Sequence, residues 1–313
     1  MLIKLRNAIL LGSLCAALTR LCEAQSLSPR AYIIVPIHSN AVTLTYSLNA
    51  GDIVFNGLPV TDSSGRIGTE IFSYFHTFDC FGRSANVTVL LPYAVGHFQG
   101  EVIGVEQKLY RSGLGAVAGR LSVNLVGAKA MNIEEFSRWK QKMVIGVSLT
   151  VEAPTGQYDG ARLINLGQHR WSFKPEVGFS RRFGHWLVDA YGSVWFFTPN
   201  DDFFSNAPGS KGPNRQTQEP MGAVEAHLSY DVKPRLWVSV DGNYWYGGKT
   251  SLNGVETPTT LQANSRLGAT AAIPITKHQS LKFSYSAGTY VTFGGNFQNV
   301  SAAWQYSWMG RPR

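Results

Sequence analysis

Hydrophobic and polar residues alternate along most of this chain with a period of two, the pattern of β-strands with two unlike faces. In VSAAWQYSW (300–308), Trp304, Tyr306 and Trp308 share one face, while Ser301 and Gln305 lie on the other. Most of the predicted strands are near the roughly 9–11 residues that a tilted strand needs to cross a membrane. We predict twelve such strands, at 41–49, 66–79, 84–92, 115–126, 143–153, 171–182, 185–197, 221–231, 235–246, 262–275, 279–288 and 299–308.

The connections between these strands alternate in length. Short turns, such as RFGH and DVKPR, follow the even-numbered strands. One link on this side, 127–142, is longer, and we predict a helix over 131–141, because Asn132 and Glu135 form a capping box and Phe136 and Trp139 make an apolar face. Short turns at one end and long loops at the other are typical of outer-membrane barrels, with periplasmic turns and extracellular loops. Long loops follow the odd-numbered strands, at 50–65, 93–114, 154–170, 198–220, 247–261 and 289–298.

An even number of strands that begins and ends on the short-turn side can close on itself. We therefore predict an all-β fold, a transmembrane antiparallel up-and-down β-barrel of about 12 strands, located in the bacterial outer membrane. At the start of the chain Lys4 and Arg6 precede the apolar run Ala8–Leu18, and the small residue Ala24 follows. This pattern predicts a cleavable signal peptide over 1–24 and a single barrel domain over 25–313, with its strands over about 41–308.

Composition supports an exported membrane protein. Only 15% of the residues are charged, against roughly 25% in an average soluble domain, and the mean hydropathy is −0.07. Loss of residues 1–24 would leave Cys80 as the one cysteine, without an internal disulfide, and would reduce the formal charge from +8 to +6. The pI of about 9.4 is compatible with nucleic-acid binding, but export and the lack of a Lys/Arg cluster exclude nucleic acid as an expected partner. Outer-membrane lipid and lipopolysaccharide are the expected surroundings.

Charges of both signs lie in the middle of the predicted strands, on the face opposite the apolar one. The interior of a soluble barrel would have to be apolar, whereas a membrane barrel turns its apolar face to lipid and its polar face to the lumen. The orientation of strand 66–79 stays open, because Phe72, Tyr74 and Phe78 share a parity with Glu70 and His76. The candidate lumen-lining residues are Arg120, Glu152, Lys174, Glu176, Asp189, Glu225, His227, Asp241, Arg266 and Lys282.

Several stretches resemble a family of bacterial outer-membrane proteins named for the MetA pathway of phenol degradation. They are NGLPVTD (56–62), FGRSANVTVLLPY (81–93), RLSVNL (120–125), APTGQYD (153–159) and INLGQHRWSFKPEVGFS (164–180). The resemblance extends from about Asn56 to Trp308. It implies an outer-membrane barrel transporter, distantly similar to the fatty-acid channels and linked by name to the uptake of aromatic compounds. It brings no catalytic residues.

The residues indicate a channel rather than an enzyme. The seven histidines have no zinc-site spacing, and no GxSxG motif is present, so we expect no catalytic residue, metal or cofactor. We predict a channel or transporter that passes small aromatic or hydrophobic solutes by passive diffusion through a charged lumen. The alternatives are a structural or adhesive barrel and a barrel lipase or protease. A barrel lipase would need a catalytic histidine that reaches lipid. His227, the one histidine in mid-strand with a clear lumenal parity, could not do so from the lumen.

The last strand carries a second expectation. Its aromatic residues Trp304, Tyr306 and Trp308 resemble the terminal strand that outer-membrane barrels present to the barrel-insertion machinery, although the tail MGRPR follows them here. We therefore expect this machinery to be a partner of the chain. The sequence leaves open the identity of the solute, whether a loop plugs the pore, the oligomeric state and the role of Cys80.

Overall fold

Antiparallel strands make up most of the structure, a computed structural model that describes residues 27–54, 60–102, 105–127, 129–162, 164–204 and 212–310. The predicted signal peptide lies outside these residues. An α-helix, α1 (Ile133–Arg138), lies between the fifth and sixth strands. The strands are β1 (Ser39–Val54), β2 (Val60–Cys80), β3 (Arg83–Val102), β4 (Val105–Leu114), β5 (Ala118–Val126), β6 (Met143–Glu152), β7 (Ser172–Phe183), β8 (Trp186–Phe197), β9 (Asn200–Phe203), β10 (Asn214–Gln218), β11 (Met221–Lys233), β12 (Leu236–Gly247), β13 (Thr250–Leu252), β14 (Val255–Thr257), β15 (Gln262–Pro274), β16 (Gln279–Tyr290) and β17 (Gly294–Met309).

Twelve of the described strands close into a barrel. Neighbours in the chain are neighbours in the barrel, and β17 pairs back with β1 in register from Ser39↔Met309 to Val54↔Gly294. Closure removes the free edges that an open sheet would expose to hydrocarbon, where an unpaired backbone group costs several kcal/mol. The predicted all-β antiparallel barrel of 12 strands is confirmed. Its order is β1, β2, β3, β5, β6, β7, β8, β11, β12, β15, β16 and β17.

The strands at the long-loop end run further than the hydrophobic pattern predicted. β2 and β3 extend to residues 60 and 102, and β4 pairs with the far part of β3 from Tyr93↔Leu114 to Val102↔Val105. The predicted loops 50–65 and 93–114 therefore hold much paired strand. Both faces of this extension lie beyond the apolar band, so the backbone pairing continues while the alternation that marks a lipid-facing strand is lost.

A second sheet is built from the long connections. β9, β10, β13 and β14 form four short antiparallel strands, from residues that the sequence predicted as the loops 198–220 and 247–261. Asn, Gln and Thr dominate β10, which has the sequence NRQTQ. A sequence of this kind has no apolar face, and its pairing comes from backbone hydrogen bonds that hydrophobic alternation does not reveal.

The predicted capping box and helix are present in the link between β5 and β6. Asn132 Oδ1 accepts a hydrogen bond from the Glu135 backbone N–H, and Glu135 Oε2 accepts one from the Asn132 N–H, each at 2.9 Å. α1 is shorter than predicted, at six residues. Its apolar face (Phe136, with Trp139 just beyond the helix) packs against the buried cluster of Ile34, Met131 and Val144 at the short-turn end.

The outer face of the barrel is apolar and exposed. Val240 on β12 is 65% exposed and Leu44 on β1 is 52% exposed, exposures that only a lipid environment makes favourable over such a continuous band. The structure also settles the orientation of β2. Ile67, Thr69 and Thr77 are buried inside, so Phe72 and Tyr74 point outward and the residues sharing their parity, Glu70 included, point outward with them.

A lysine placed in this apolar band tests its contact with lipid. We expect Val240→Lys to destabilise the barrel by about 2–4 kcal/mol, the usual cost of a lysine facing lipid near mid-bilayer. The matched control is Val255→Lys, because Val255 on β14 is 53% exposed but lies outside the barrel. The measurement is the urea midpoint in phospholipid vesicles, followed by heat-modifiable gel migration. Equal losses in both variants would contradict the assignment of the face.

Candidate functional site

An N-terminal segment, residues 27–38, lies inside the barrel ahead of β1. Tyr32 is 1% exposed, and its hydroxyl contacts both Ser148 Oγ on β6 and Glu176 Oε1 on β7 at 3.0 Å. The backbone N–H of Ala31 donates to the Tyr191 hydroxyl on β8 at 3.0 Å. At the other end of the segment, the His38 N–H donates to the Thr77 carbonyl on β2 at 2.9 Å. The segment therefore crosses the interior between opposite parts of the wall.

Two glycines in the wall make room for the Tyr32 ring. Gly146 on β6 and Gly178 on β7 are register partners. A Cβ atom at Gly178 would lie 2.0 Å from Tyr32 Cε2, and one at Gly146 would lie 2.5 Å from Tyr32 Cδ1. Glycine inside a strand marks a close approach of another group, and here the ring packs directly on the strand backbones.

An ionic cluster holds the segment near the short-turn end. Arg30 Nη2 lies 2.7 Å from Asp231 Oδ1, and the Arg30 side chain is 7% exposed. Arg182 contacts the second carboxylate oxygen of Asp231. The Arg30 guanidinium also stacks over Trp237, 4.3 Å from the ring centroid. A buried charge needs a partner of this kind, so the cluster ties the segment to β7, β11 and β12.

Six of the predicted residues form one connected chain of charges across the wall. Glu176 carboxylate oxygens lie 3.3 Å from Arg120 Nη2 and 3.1 Å from Lys174 Nζ. Lys174 Nζ lies 3.9 Å from Glu225 Oε1. His227 continues the chain, with Nε2 at 3.6 Å from Glu225 Oε2 and Nδ1 at 2.9 Å from Asp241 Oδ1. Cation and anion alternate from Arg120 to Glu225, so neighbouring charges there compensate each other.

The other four predicted residues are distributed over several strands of the wall. Asp189 is 1% exposed and stands between Ser180 and His227 in the strand register. Arg266 is equally buried, and its Nη1 donates to Ser286 Oγ at 2.9 Å. Glu152 is buried at the far end of β6. Lys282 on β16 is exposed and lies between the small residues Ala272 and Ala303 in the register.

A cavity of about 490 Å³ lies beside the segment. Its apolar wall comes from β2 and β3, with Ile71, Phe75, Leu90 and Pro92. The opposite wall presents the charge chain together with two aromatic rings. Ile33 and Val35 of the N-terminal segment also face the cavity. The residues of the opposite wall are Arg120, Lys174, Glu176, Glu225, Trp195 and Phe197.

A second cavity of about 370 Å³ adjoins the first at the long-loop end. Arg111, Tyr158 and Arg162 are among its lining residues, and Asn165 and Leu166 line both cavities. Two hydrogen bonds hold the Asn165 side chain in place, since its Nδ2 donates to the Asp159 and Arg162 carbonyls at 3.1 and 3.0 Å. These two residues therefore form the partition between the cavities.

Two arginines near the cavities at the long-loop end have lowered pKa values. Burial lowers the pKa of Arg170, which precedes β7, to about 10, although Glu152 opposes the shift. Its guanidinium stacks over Phe197 at 4.8 Å and donates to Gln218. Burial also lowers the pKa of Arg111, and the charge of Arg162 adds to this. The Arg170 side chain remains a cation at neutral pH, because a pKa of about 10 lies well above 7.

The described residues hold no group of three His, Cys, Asp or Glu side chains that could bind a metal ion. His227 lies between two carboxylates, so its Nε2 faces Glu225 and not a serine or threonine nucleophile. In this part of the chain no helix is long and apolar enough to span a membrane.

Comparison with known proteins identifies the family. The model of the family described as "Putative MetA-pathway of phenol degradation" matches residues 46–306. The chain belongs to this family. A search of curated protein sequences gives no match.

Solved structures similar to this family member are outer-membrane barrels. The crystal structure of the COG4313 outer membrane channel from Pseudomonas putida F1 superposes with a TM-score of 0.77 at 19% identity, over 90% of this chain and 100% of that one. The transport unit of the autotransporter AIDA-I from Escherichia coli gives 0.50 at 10% identity, over 97% and 98%. The protein is an outer-membrane β-barrel, as the sequence predicted.

The N-terminal segment inside the barrel of this family member was not predicted from its sequence. The sequence left open whether the interior is filled, and a loop was the candidate to fill it. The signal was present in Gly146 and Gly178, which occupy inward-facing positions of adjacent strands where side chains would otherwise fill the space. The alternation of the sequence shows which charged residues point inward. It does not show which of these charges contact each other across intervening strands.

Substitution of the wall glycine tests how the segment is seated. We expect Gly178→Ala to displace Tyr32 and expose the peptide bond after Arg30 to trypsin, because the new methyl group would overlap the ring. Gly192→Ala on β8 is the matched control, since a Cβ there meets nothing within 4 Å. Intact-mass measurement after limited proteolysis reports the cleavage. Equal resistance of the two variants would show that Tyr32 does not pack on this glycine.

Proposed function

We propose that this barrel conducts small hydrophobic solutes, aromatic compounds among them, across the outer membrane by passive diffusion. The observation that carries the proposal is the interior cavity of about 490 Å³ with one apolar wall. Its volume lies within the usual range of small-molecule sites, about 300–1,000 Å³. The family description, which refers to phenol degradation, supports aromatic solutes.

The apolar wall favours a solute with little charge. Ile33 is 37% exposed although it lies inside the barrel, and it faces the same cavity as Ile71, Phe75 and Leu90. Water in contact with such a surface is displaced favourably by an apolar ring, at about 25 cal/mol per Å² of apolar area covered. Trp195 and Phe197 on the opposite wall offer ring faces for stacking.

The charge chain would serve this route without attracting ions strongly. Arg120 and Lys174 are both within 3.3 Å of Glu176, and Lys174 also lies 3.9 Å from Glu225. Two cations thus face two carboxylates, and their fields largely cancel at the centre of the cavity. A neutral solute then meets fixed dipoles that can hydrogen-bond a hydroxyl group. We infer that the lumen-lining role predicted for these residues is to hold the wall in shape and to orient polar substituents.

The two cavities define the path we propose. A solute would enter the cavity at Arg111 and Arg162, pass the partition of Asn165 and Leu166, and reach the inner cavity above the N-terminal segment. Ser28, Arg30 and Ala31 line the inner cavity on the segment side. The segment is thus the last barrier before the periplasm and limits the size of the solute.

A polar group in the apolar wall should reduce uptake of aromatic solutes. We expect Ile71→Asn to lower the rate for toluene about tenfold, as a binding loss of roughly 1–3 kcal/mol implies. Ile71→Val, which keeps the wall apolar, is the control. The measurement is uptake of radiolabelled toluene by cells that keep their lipopolysaccharide leaflet and lack other porins. If both variants take up toluene at the original rate, the wall does not contact the solute.

Charge reversal at Lys282 tests whether ions share the interior. Lys282 makes no ion pair or hydrogen bond with any described residue, so Lys282→Glu should shift the reversal potential toward cations without breaking the charge chain. Lys108→Glu, on the β4 hairpin beyond the barrel, is the control. Planar-bilayer recordings in a salt gradient measure the shift. An unchanged reversal potential would contradict a lumenal position for Lys282, and a lack of conductance in every form would count against a channel.

A further inference from the structure

The periplasmic end of the barrel carries a ring of exposed cations that form no ion pair with a described residue. Each short turn, and the link that contains α1, contributes to it. We name these residues the basic rim. They are Arg83, Lys129, Arg138, Lys140, Lys142, Arg181, Lys233, Arg235 and Lys277, and all are exposed.

None of these cations forms an ion pair with a described residue. The ion pairs at this end join Asp231 to Arg30 and Arg182 inside the barrel. The exposed carboxylates are otherwise engaged, since Asp79 Oδ1 accepts from the Gly82 N–H at 2.6 Å and Glu135 closes the cap of α1. Glu134 lies in the first helical turn, where it interacts favourably with the helix dipole.

The opposite end of the barrel behaves differently. Most exposed cations there lie next to carboxylates, as shown by Lys108 with Glu106 at 2.9 Å and Arg215 with Asp201 at 3.3 Å. Lys249 Nζ likewise lies 2.9 Å from Glu256 Oε2. Arg66 is an exception, since it forms no ion pair with a described residue. Unpaired exposed cations are therefore concentrated at the periplasmic rim, and this concentration does not follow from the basic composition alone.

Backbone contacts bring cations of neighbouring turns together. Arg83 and Lys129 are directly opposite each other in an antiparallel bridge, an arrangement in which like charges repel. Arg235 Nη1 donates to the Lys277 carbonyl at 2.9 Å. Lys142 lies beside Arg181, because its carbonyl accepts from the Arg182 N–H at 2.8 Å. Like charges repel at each of these three places around the rim, and an external anion lying between them would relieve this repulsion.

Aromatic side chains place the rim at the level of lipid headgroups. Phe183 and Trp186, on either side of the turn between β7 and β8, are 51% and 47% exposed on the outer face. The Arg181 guanidinium lies 4.8 Å from the centroid of the Phe183 ring. Aromatic rings form girdles at the membrane interface, so cations within a few residues of them meet phosphate groups.

We propose that the basic rim binds anionic phospholipid headgroups, such as phosphatidylglycerol, in the periplasmic leaflet of the outer membrane. A planar lipid leaflet surrounds the barrel on all sides, which matches a ring of charge spread over every turn. A folded acidic protein would match one concentrated patch instead. Lysine and arginine near an anionic membrane each contribute about 1 kcal/mol, or roughly fivefold in affinity.

Native mass spectrometry of the full chain, extracted in detergent and offered phosphatidylglycerol or phosphatidylcholine at equal concentration, tests the proposal. We expect preferential retention of phosphatidylglycerol, and a loss of roughly twenty-fivefold or more in that preference for K129E/K277E, at about fivefold per charge removed. K129Q/K277Q should lose less, because it removes charge without adding repulsion. Heat-modifiable migration confirms that each variant is folded.

The control variant, R66E/K108E, makes the same change in net charge at the extracellular end, where both cations are exposed. It should keep the preference of the original chain. Equal retention of the two lipids by the original chain, or equal losses in the two reversed variants, would overturn the proposal. The proposal would also be overturned if K129E/K277E kept the preference for phosphatidylglycerol but lost binding to purified peptidoglycan. The rim would then recognise the cell wall.

Discussion

Every backbone amide and carbonyl that meets hydrocarbon needs a partner within the protein, and the pairing of β1 with β17 supplies the last of these partners. The pairing runs over the whole length of β1, from Ser39 to Val54. Because closure fixes which side of each strand faces lipid, it also fixes which side chains must share the interior. The charged residues of β5, β7, β11 and β12 are brought together by this constraint alone.

Closure creates a difficulty that the interior then resolves. Charges such as Glu176 and Asp241 are nearly inaccessible to bulk water, and an isolated charge in that position would be very costly. Each one lies next to a cation or to His227, and Asp241 also accepts from the Thr270 hydroxyl at 2.8 Å. The N-terminal segment completes the arrangement, since Tyr32 and Arg30 occupy space and hydrogen-bonding positions that the strands leave open.

The sequence predicts the parts of the fold that lipid imposes. Each predicted strand overlaps one strand of the barrel, because an apolar residue at every second position is what hydrocarbon requires of a strand. Lipid imposes nothing on β4 or β10, and their pairing left no trace in hydrophobicity. The same reasoning explains the site. The inward parity of Lys174 and Glu225 could be read, but their approach to 3.9 Å depends on the curvature of the closed sheet, which a single strand does not encode.

The segment and the cavity divide the interior between two kinds of surface. The side chains of residues 32–35 point alternately to two sides. Tyr32 and Ile34 are buried toward β6 and β7 or the helical link, while Ile33 and Val35 face the cavity. The polar wall holds the segment, and the segment in turn presents an apolar surface to the apolar wall of β2 and β3. A barrel lined by charges can thereby enclose a space suited to an uncharged ring, since the charges pair with one another and hydrogen-bond Tyr32.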